Sequence, residues 1–223
     1  QWLAYETTAL RLLGDGRYDD IVDIERFVRP YHLPVPEGFD DIESFNSALL
    51  ASLERWHRYE THPLDQSLRG GSQTPRDLTT IDDPVIKAFY RALDDPIRHY
   101  MSAVGNAQDH PLTARNTGDY RITGGWSVRL QGGGKHVNHV HPEGWISSAY
   151  YVSVPEETRT EPGHSGWIKF AEPPFETSPP TPPEKWIRPE AGMLVLFPSY
   201  LWHGTEPIHD DSVRVTAPFD AVS

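Results

Sequence analysis

The sequence has no cysteine among its 223 residues, which excludes disulfide bonds, thiolate metal sites and a cysteine nucleophile. It also lacks any run of about 18 apolar residues, so we expect no segment that spans a membrane. Basic residues are comparatively few: 20 Lys and Arg stand against 32 Asp and Glu, for a formal net charge of −12. This charge disfavours nucleic acid and anionic membranes as partners, and we expect a cytoplasmic protein.

The composition favours a chain with short strands and a substantial core. Apolar residues make up 37% of the sequence and aromatic residues 11%. The 21 prolines and 17 glycines favour turns and short strands over a helical bundle. Because the chain begins at Gln1 rather than at Met, we expect it to be part of a longer protein.

The first half of the chain, residues 1–105, has the periodicity of helices. Apolar residues at steps of three and four predict a supporting helix over about 42–59, and steps of four predict another over about 84–104. Asp83 followed by Pro84 is typical of an N-cap and a first helical position. Pro96 should kink or divide the second helix near Asp94 and Asp95.

Two further features of this half concern its organisation. The polar, turn-rich stretch 62–80 is predicted to be a loop. Residues 1–40 are predicted to form an N-terminal extension, and residues 41–223 the main domain with its supporting helices.

From residue 120 onward the pattern changes to short strands. Apolar or β-rich segments bounded by turn residues cover 126–130, 145–154, 167–170, 193–197 and 213–219. The glycine triplet 132–134 and the proline-dense run 173–183 are predicted breaks between strands. Many short strands without helices between them predict an all-β barrel or sandwich.

Histidines concentrate in the run His136-Val-Asn-His139-Val-His141-Pro. Side chains of a strand alternate between its faces, so His139 and His141 should point the same way and converge on one ion, whereas His136 should face the opposite side. Neutral imidazole is a ligand for Fe, Zn, Cu or Ni. A solvated histidine-rich loop is the alternative interpretation of this run.

A second pair of residues strengthens the metal hypothesis. An apolar strand ends at His203, and Arg214 begins another strand with Thr216 on the same face. If residues 204–211 form the connecting loop, the two strands pair antiparallel and bring His203 and Arg214 together. A guanidinium beside a metal centre suits a dicarboxylate chelator, because its planar fork holds a carboxylate through two hydrogen bonds. The alternative for Arg214 is a surface salt bridge to Asp210 or Asp211.

These motifs together resemble the Fe(II)- and 2-oxoglutarate-dependent oxygenases. The resemblance covers about residues 62–220 and rests on four segments: His139-Val-His141-Pro142, Trp145-Ile-Ser-Ser-Ala-Tyr-Tyr-Val-Ser-Val-Pro155, Gly192-Met-Leu-Val-Leu-Phe-Pro-Ser199, and Trp202-His203 with Arg214. It implies a double-stranded β-helix (a jelly-roll, cupin-like barrel) flanked by helices. It also implies an iron held by His139, His141 and His203, and Arg214 as the anchor of 2-oxoglutarate. The implied reaction is hydroxylation of an unknown substrate with release of succinate and CO₂.

The segment 62–74 also resembles proteins in which such an oxygenase domain follows tetratricopeptide repeats, where sequence like that of residues 12–18 leads into the catalytic domain. That resemblance implies that this chain is the C-terminal part of a repeat-bearing protein. A protein side chain is then an attractive substrate, with a small molecule as the other option. The helical half can equally mediate a homodimer.

The chain departs from the wider family at its metal ligands. Most members have a carboxylate where this sequence has His141, which leaves a three-histidine site with less negative charge. One alternative places His136 and Asn138 at the first two ligand positions. In another, Glu143 supplies a carboxylate from just outside the strand.

Other residues are candidates for the cosubstrate's surroundings. Tyr150 is the in-register tyrosine whose hydroxyl can bond the far carboxylate, and Arg129 can meet a carboxylate from the preceding strand. Thr216 follows Arg214 on the same face. Two competing functions remain at this point: a three-histidine cupin-type dioxygenase that uses no 2-oxoglutarate, and a non-catalytic cupin-like sensor or assembly module.

Overall fold

A computed structural model describes residues 1–59, 66–159 and 163–223 of the protein. Helices occupy the N-terminal half and strands dominate the remainder. The helices are α1 (Trp2–Leu13), α2 (Arg17–Ile21), α3 (Ile24–Phe27), α4 (Ile42–Glu54), α5 (Pro84–Ala92) and α6 (Asp94–Val104). The strands are β1 (Arg29–His32), β2 (Leu68–Gln73), β3 (Arg121–Gly125), β4 (Val128–His136), β5 (Ile146–Ser153), β6 (Ile168–Phe170), β7 (Lys185–Ile187), β8 (Met193–Pro198), β9 (His203–Thr205), β10 (Arg214–Thr216) and β11 (Phe219–Val222).

Local signals set the ends of the supporting helices. The Asp41 side chain accepts from the backbone N–H of Ser44 and the Ser44 hydroxyl bonds back to Asp41, a capping box that starts α4. The Asp83 carboxylate accepts from the first free N–H groups of α5, with Pro84 at the first helical position. Pro96 lies in the first turn of α6, and α5 and α6 are separated at Leu93.

The strands form two antiparallel sheets. The large sheet has eight strands in the order β1-β8-β5-β10-β4-β2, with β11 paired to β5 and β3, and the small sheet has the order β7-β6-β9. The fold is mainly antiparallel β with flanking helices, and the predicted double-stranded β-helix class is confirmed.

Strand β8 of the large sheet is buried on both faces, which explains its apolar sequence. Along β8, Leu194 and Leu196 pack into the cluster formed with the supporting helices, while Val195 and Phe197 pack against the small sheet. All six residues of β8 are buried. A strand covered on both sides has no polar face to alternate with, hence its continuous apolar run.

Several strands lie where the sequence pattern predicted none. β2 falls inside the stretch 62–80 that was predicted to be a loop, of which residues 62–65 lie outside the described residues. The predicted break at the glycine triplet 132–134 is also wrong, because β4 runs through it. A Cβ on Gly134 would collide with the carbonyl oxygen of Gly70, so glycine here permits close approach of β2 rather than ending a strand.

The segment predicted as one strand over 213–219 is divided. β10 and β11 are separate strands, with Ala217 and Pro218 between them. The run 173–183 contains no strand or helix, as predicted for a proline-dense excursion.

The N-terminal segment contributes to the large sheet. β1 pairs antiparallel with β8 along all four of its residues, from Arg29 opposite Leu196 to His32 opposite Met193. A division of the chain at residue 40 stays a prediction. Among the described residues, no helix is long and apolar enough to cross a membrane.

Candidate metal and cosubstrate site

Three histidines from two distant parts of the chain meet in space. His139 and His141 follow the end of β4, and His203 begins β9. His139 forms an antiparallel backbone bridge with His203, each N–H donating to the other's carbonyl oxygen over 2.9 and 3.1 Å. The backbone N–H of His141 donates to the carbonyl oxygen of Ser199 over 2.9 Å. The run 137–141 therefore belongs to no regular strand, in contrast to the prediction. The side chains of His139 and His141 still point into the same space, because their backbones are held by hydrogen bonds to His203 and Ser199.

The three imidazoles converge through their Nε2 atoms. The Nε2 atoms of His139 and His141 are 3.1 Å apart, and one ligand atom from each of the three rings lies within 4.8 Å of the others. Each Nδ1 is engaged behind the ring: that of His139 with the carbonyl of Val137 at 2.8 Å, and that of His203 with the carbonyl of Leu201 at 2.9 Å. Because a carbonyl oxygen only accepts, these two rings carry their proton on Nδ1 and leave Nε2 as a free lone pair.

This geometry fits a metal ion. Two metal–nitrogen bonds of about 2.1 Å at a right angle place their nitrogen atoms about 3.0 Å apart. The observed separation of 3.1 Å between the Nε2 atoms of His139 and His141 matches that spacing. Lone pairs facing one another at this distance repel unless a cation lies between them.

Burial keeps His139 and His203 neutral. Desolvation lowers the pKa of His139 to about 4, with the neighbouring His141 acting in the same direction. Desolvation, with His139 and His141, also holds the pKa of His203 well below its ordinary value. Neutral imidazole is the form that binds metal, so these rings are ready to bind at neutral pH.

Arg214 lies in the same cavity and is 2% exposed. Its Nη1 donates to the carbonyl oxygen of Gly166, and its Nε has no hydrogen-bond partner among the described residues. Among the described residues, no carboxylate forms a salt bridge with it. The predicted alternative partners, Asp210 and Asp211, are exposed, and Asp210 accepts from the backbone N–H of Ser212. Desolvation lowers the pKa of Arg214, and the neighbouring Tyr151 acts in the opposite direction.

The predicted pairing of the strands that carry His203 and Arg214 is wrong. β9 pairs with β6 in the small sheet, whereas β10 pairs with β4 and β5 in the large sheet. The connecting segment packs on β4 instead of forming a hairpin, with Ile208 bonded to the backbones of Gly133 and Gly134. His203 and Arg214 therefore approach the cavity from opposite sheets.

The cavity has a volume of about 660 Å³ and opens beside the histidines. Thr216 and Tyr151 line it next to Arg214, and the Tyr151 ring centre is 5.8 Å from the guanidinium carbon. His136 also lines it, 5.9 Å from His139 between ring centres, with its Nδ1 2.9 Å from the Ser67 hydroxyl. The expectation that His136 faces the opposite side is wrong, because β4 ends at this residue and strand alternation stops there.

Two predicted cosubstrate contacts point away from the cavity. Tyr150 donates from its hydroxyl to Asn46 Oδ1 over 2.6 Å and packs on Phe89, on the helix side of the large sheet. Arg129 stands opposite Val215, which also faces the helices. Tyr150 and Arg129 each occupy the strand position next to one that faces the cavity. Because neighbouring residues of a strand face opposite sides, their side chains point away from it.

The alternative metal ligands lie outside the three-histidine group. Asn138 donates from its side-chain amide to Glu172 Oε2 over 2.7 Å, in a neighbouring pocket. Glu143 lines the cavity but does not join the group of described metal-binding atoms that lie within 4.8 Å of one another. The group consists of His139, His141 and His203.

Sequence reasoning missed a set of polar residues behind these ligands. Asp220 Oδ1 and Oδ2 are both 2.7 Å from His141 Nδ1, and Ser147 connects Asp220 to Ser199. Tyr151 was also missed as a neighbour of Arg214. Both follow from strand register, which the sequence alone does not give: Asp220 stands opposite Ser147 and Tyr151 opposite Thr216.

Comparisons with known proteins agree with this geometry. Residues 124–220 match the family model described as "Putative 2OG-Fe(II) oxygenase". The matched segment contains His139, His141, His203 and Arg214. A search of curated proteins finds no match.

Solved structures share the fold at low sequence identity. The viral collagen prolyl hydroxylase of Paramecium Bursaria Chlorella virus-1, in complex with 2OG, is 12% identical with a TM-score of 0.55, over 87% of this chain and 95% of that one. A prolyl-4-hydroxylase from Pseudomonas putida is 16% identical with a TM-score of 0.53, over 90% and 97%. HygX from Streptomyces hygroscopicus, with nickel and 2-oxoglutarate bound, is 12% identical with a TM-score of 0.52, over 92% and 86%.

The segment that holds the site, residues 124–220, is therefore similar in sequence to the 2OG-Fe(II) oxygenases, and the chain shares the fold of solved members of that class. The description of that family names 2OG and Fe(II). None of the comparisons bears on the link to tetratricopeptide repeats, which stays a prediction.

Proposed function

We propose that Nε2 atoms of His139, His141 and His203 bind one Fe(II), and that Arg214 anchors the far carboxylate of 2-oxoglutarate, for hydroxylation of a substrate with release of succinate and CO₂. The bound iron would supply the oxidative chemistry. The protein's own groups bind and orient the cosubstrate and exclude bulk water from the cavity.

One observation carries this proposal: a buried, uncompensated guanidinium shares a single cavity with three converging imidazoles. A buried charge without a partner costs several kcal/mol of free energy, so Arg214 should bind an anion. Thr216 lines the cavity beside Arg214 and would offer a hydroxyl to the far carboxylate of 2-oxoglutarate, and Tyr151 lines one side of the cavity. Three protein ligands leave about three positions of an octahedral ion open, enough for a chelating 2-oxo acid and one further molecule.

The competing functions fit less well. A dioxygenase that binds substrate without 2-oxoglutarate predicts that Arg214 is salt-bridged away from the metal, yet no described carboxylate pairs with it. A non-catalytic module predicts an occluded pocket, yet the cavity measures about 660 Å³.

The substrate itself is a protein side chain or a small molecule. Similar folds occur in a prolyl hydroxylase in complex with a peptide fragment of hypoxia inducible factor and in HygX with hygromycin B bound, so the fold accommodates both kinds of ligand. A homodimer and a cytoplasmic location stay predictions, as does the exclusion of nucleic acid and membranes, which rests on the net charge of −12.

An anaerobic titration with Fe(II) followed by 2-oxoglutarate tests the proposal. We expect a weak visible charge-transfer band that appears only when both are present, and succinate on exposure to air. Absence of both signals in the native protein would refute the proposed function.

A further inference from the structure

Asp220 lies behind His141, on the side of the ring away from the other two histidines. Both of its carboxylate oxygens are 2.7 Å from His141 Nδ1, and the two side chains are 17% and 15% exposed. A carboxylate in this position accepts a proton from Nδ1 and leaves Nε2 free to bind a metal.

Two buried serines hold the carboxylate in place. Ser147 stands directly opposite Asp220 in the pairing of β5 with β11, and its hydroxyl is 2.7 Å from Asp220 Oδ1. The Ser199 hydroxyl is 2.8 Å from that of Ser147. Ser147 and Ser199 are 0% and 1% exposed. The carbonyl oxygen of Ser199 also accepts from the His141 backbone N–H. The backbone and the ring of His141 are therefore both joined to the hydrogen-bonded group of Asp220, Ser147 and Ser199.

The three ligands differ in what lies behind them. His139 and His203 each donate to a neutral backbone carbonyl, whereas His141 donates to a charged carboxylate. His141 is also the ligand that occupies the position where the wider family has a carboxylate. Charge-assisted hydrogen bonds are stronger and transfer electron density to the ring, which makes it a better donor to a metal.

We infer that Asp220 is the carboxylate of this metal centre, placed one hydrogen bond behind His141 instead of on the ion. Asp220 is a positioning residue: it fixes the tautomer and orientation of His141 and returns to the site the negative charge that a carboxylate ligand would have brought. The inference rests on the proposed metal binding by His139, His141 and His203.

The test compares Co(II) binding to Asp220→Asn with binding to the native protein, by anaerobic titration followed in the visible spectrum and by calorimetry. The substitution keeps the shape and an acceptor oxygen and removes the charge. We expect affinity to fall by about 10- to 100-fold. Asp40→Asn is the matched control, since Asp40 is an exposed acid remote from the cavity, and it should bind Co(II) as the native protein does.

A merely structural role for Asp220 gives a different result. In that case Asp220→Asn lowers the unfolding free energy of the metal-free protein while the folded fraction binds Co(II) with native affinity, and the inference is overturned. If the native protein itself fails to bind Co(II), the proposed function falls together with the inference. Native binding with an unchanged Asp220→Asn affinity overturns the inference alone.

A measurement on the unaltered protein covers the case in which the variant does not fold. In the Zn(II)-loaded native protein, the Nδ1 proton of His141 should resonate well downfield of those of His139 and His203, because only His141 donates to a carboxylate. His141→Gln identifies the signal by its loss. A His141 signal at the same position as the other two, or one lost to solvent exchange, contradicts the inference.

Discussion

Arg214 offers the sharpest test of the cosubstrate site. The guanidinium is 2% exposed and its Nε lacks a partner, so it is poised to bind an anion through more than one N–H. Truncating one partner of a buried, hydrogen-bonded charge pair costs about 2–5 kcal/mol. We therefore expect Arg214→Met to weaken 2-oxoglutarate binding by about 30-fold or more. Calorimetry with the Co(II)-loaded protein under argon measures this directly.

The same substitution has a second expected effect, on the protein without cosubstrate. Methionine removes a buried charge that has no described counter-ion, which favours the folded state, but it also leaves the carbonyl of Gly166 without its donor, at a cost of about 1–3 kcal/mol. Because the two effects oppose one another, we expect the unfolding free energy to stay within about 1 kcal/mol of the native value or to rise. Urea denaturation without 2-oxoglutarate checks this.

Two controls separate the contributions. Arg188→Met removes an exposed arginine that is paired 3.4 Å from Glu190, and it should leave 2-oxoglutarate affinity unchanged. Arg214→Lys keeps the charge and loses the planar fork, so its affinity should fall between those of the native and methionine proteins. Native affinity in Arg214→Met would refute the assignment of the cosubstrate anchor.

Three further predictions concern His203, Gly71 and His57. His203→Ala should abolish the stabilisation of about 2.7 kcal/mol that a metal at 100 times its Kd gives, whereas His164→Ala should retain it, as measured by denaturation with and without Co(II). Gly71→Ala should lower the unfolding free energy by about 1–3 kcal/mol, because a Cβ there collides with the carbonyl oxygen of Arg129 across the β2–β4 ladder; an unchanged Tm contradicts this packing. Burial lowers the pKa of His57 from 6.5 to about 4, so below pH 6.5 the unfolded chain takes up a proton that the folded one refuses, and stability is lost as pH falls toward 4. His57→Asn should flatten that loss between pH 7 and pH 5, and an unaltered pH profile of Tm would contradict it.

Local patterns in the sequence were enough to predict many short strands with flanking helices and the convergence of His139 and His141, whereas the double-stranded β-helix and the place of His203 rested on the resemblance. Helix caps and apolar periods depend on neighbouring residues, so Asp83 with Pro84 indicates the start of α5 without any tertiary information. The spacing His139-x-His141 likewise places two rings on one side of an extended chain. These features are encoded within a few residues of one another.

Contacts between distant segments were not predictable in the same way. The hydrogen bond from His141 to Asp220 joins residues 79 positions apart. Asp220 looks like an ordinary acid near a strand end until the pairing of β11 with β5 is known. The preference for Tyr150 over Tyr151 failed for a related reason, because a shift of one residue in register moves a side chain to the other face of the sheet.

Charge balance connects the two residues on which the site depends. Fe(II) and Arg214 together bring three positive charges, and 2-oxoglutarate brings two negative ones. In a centre with a carboxylate ligand the third negative charge lies on the metal itself. Here the three proposed ligands are all imidazoles, and the carboxylate of Asp220 lies one hydrogen bond behind His141. With Fe(II) bound as proposed and without cosubstrate, the cavity would therefore carry excess positive charge in a buried setting, which would attract a dianion. Substitution of the ligand carboxylate by histidine is thus compatible with 2-oxoglutarate binding as long as Asp220 stays in place.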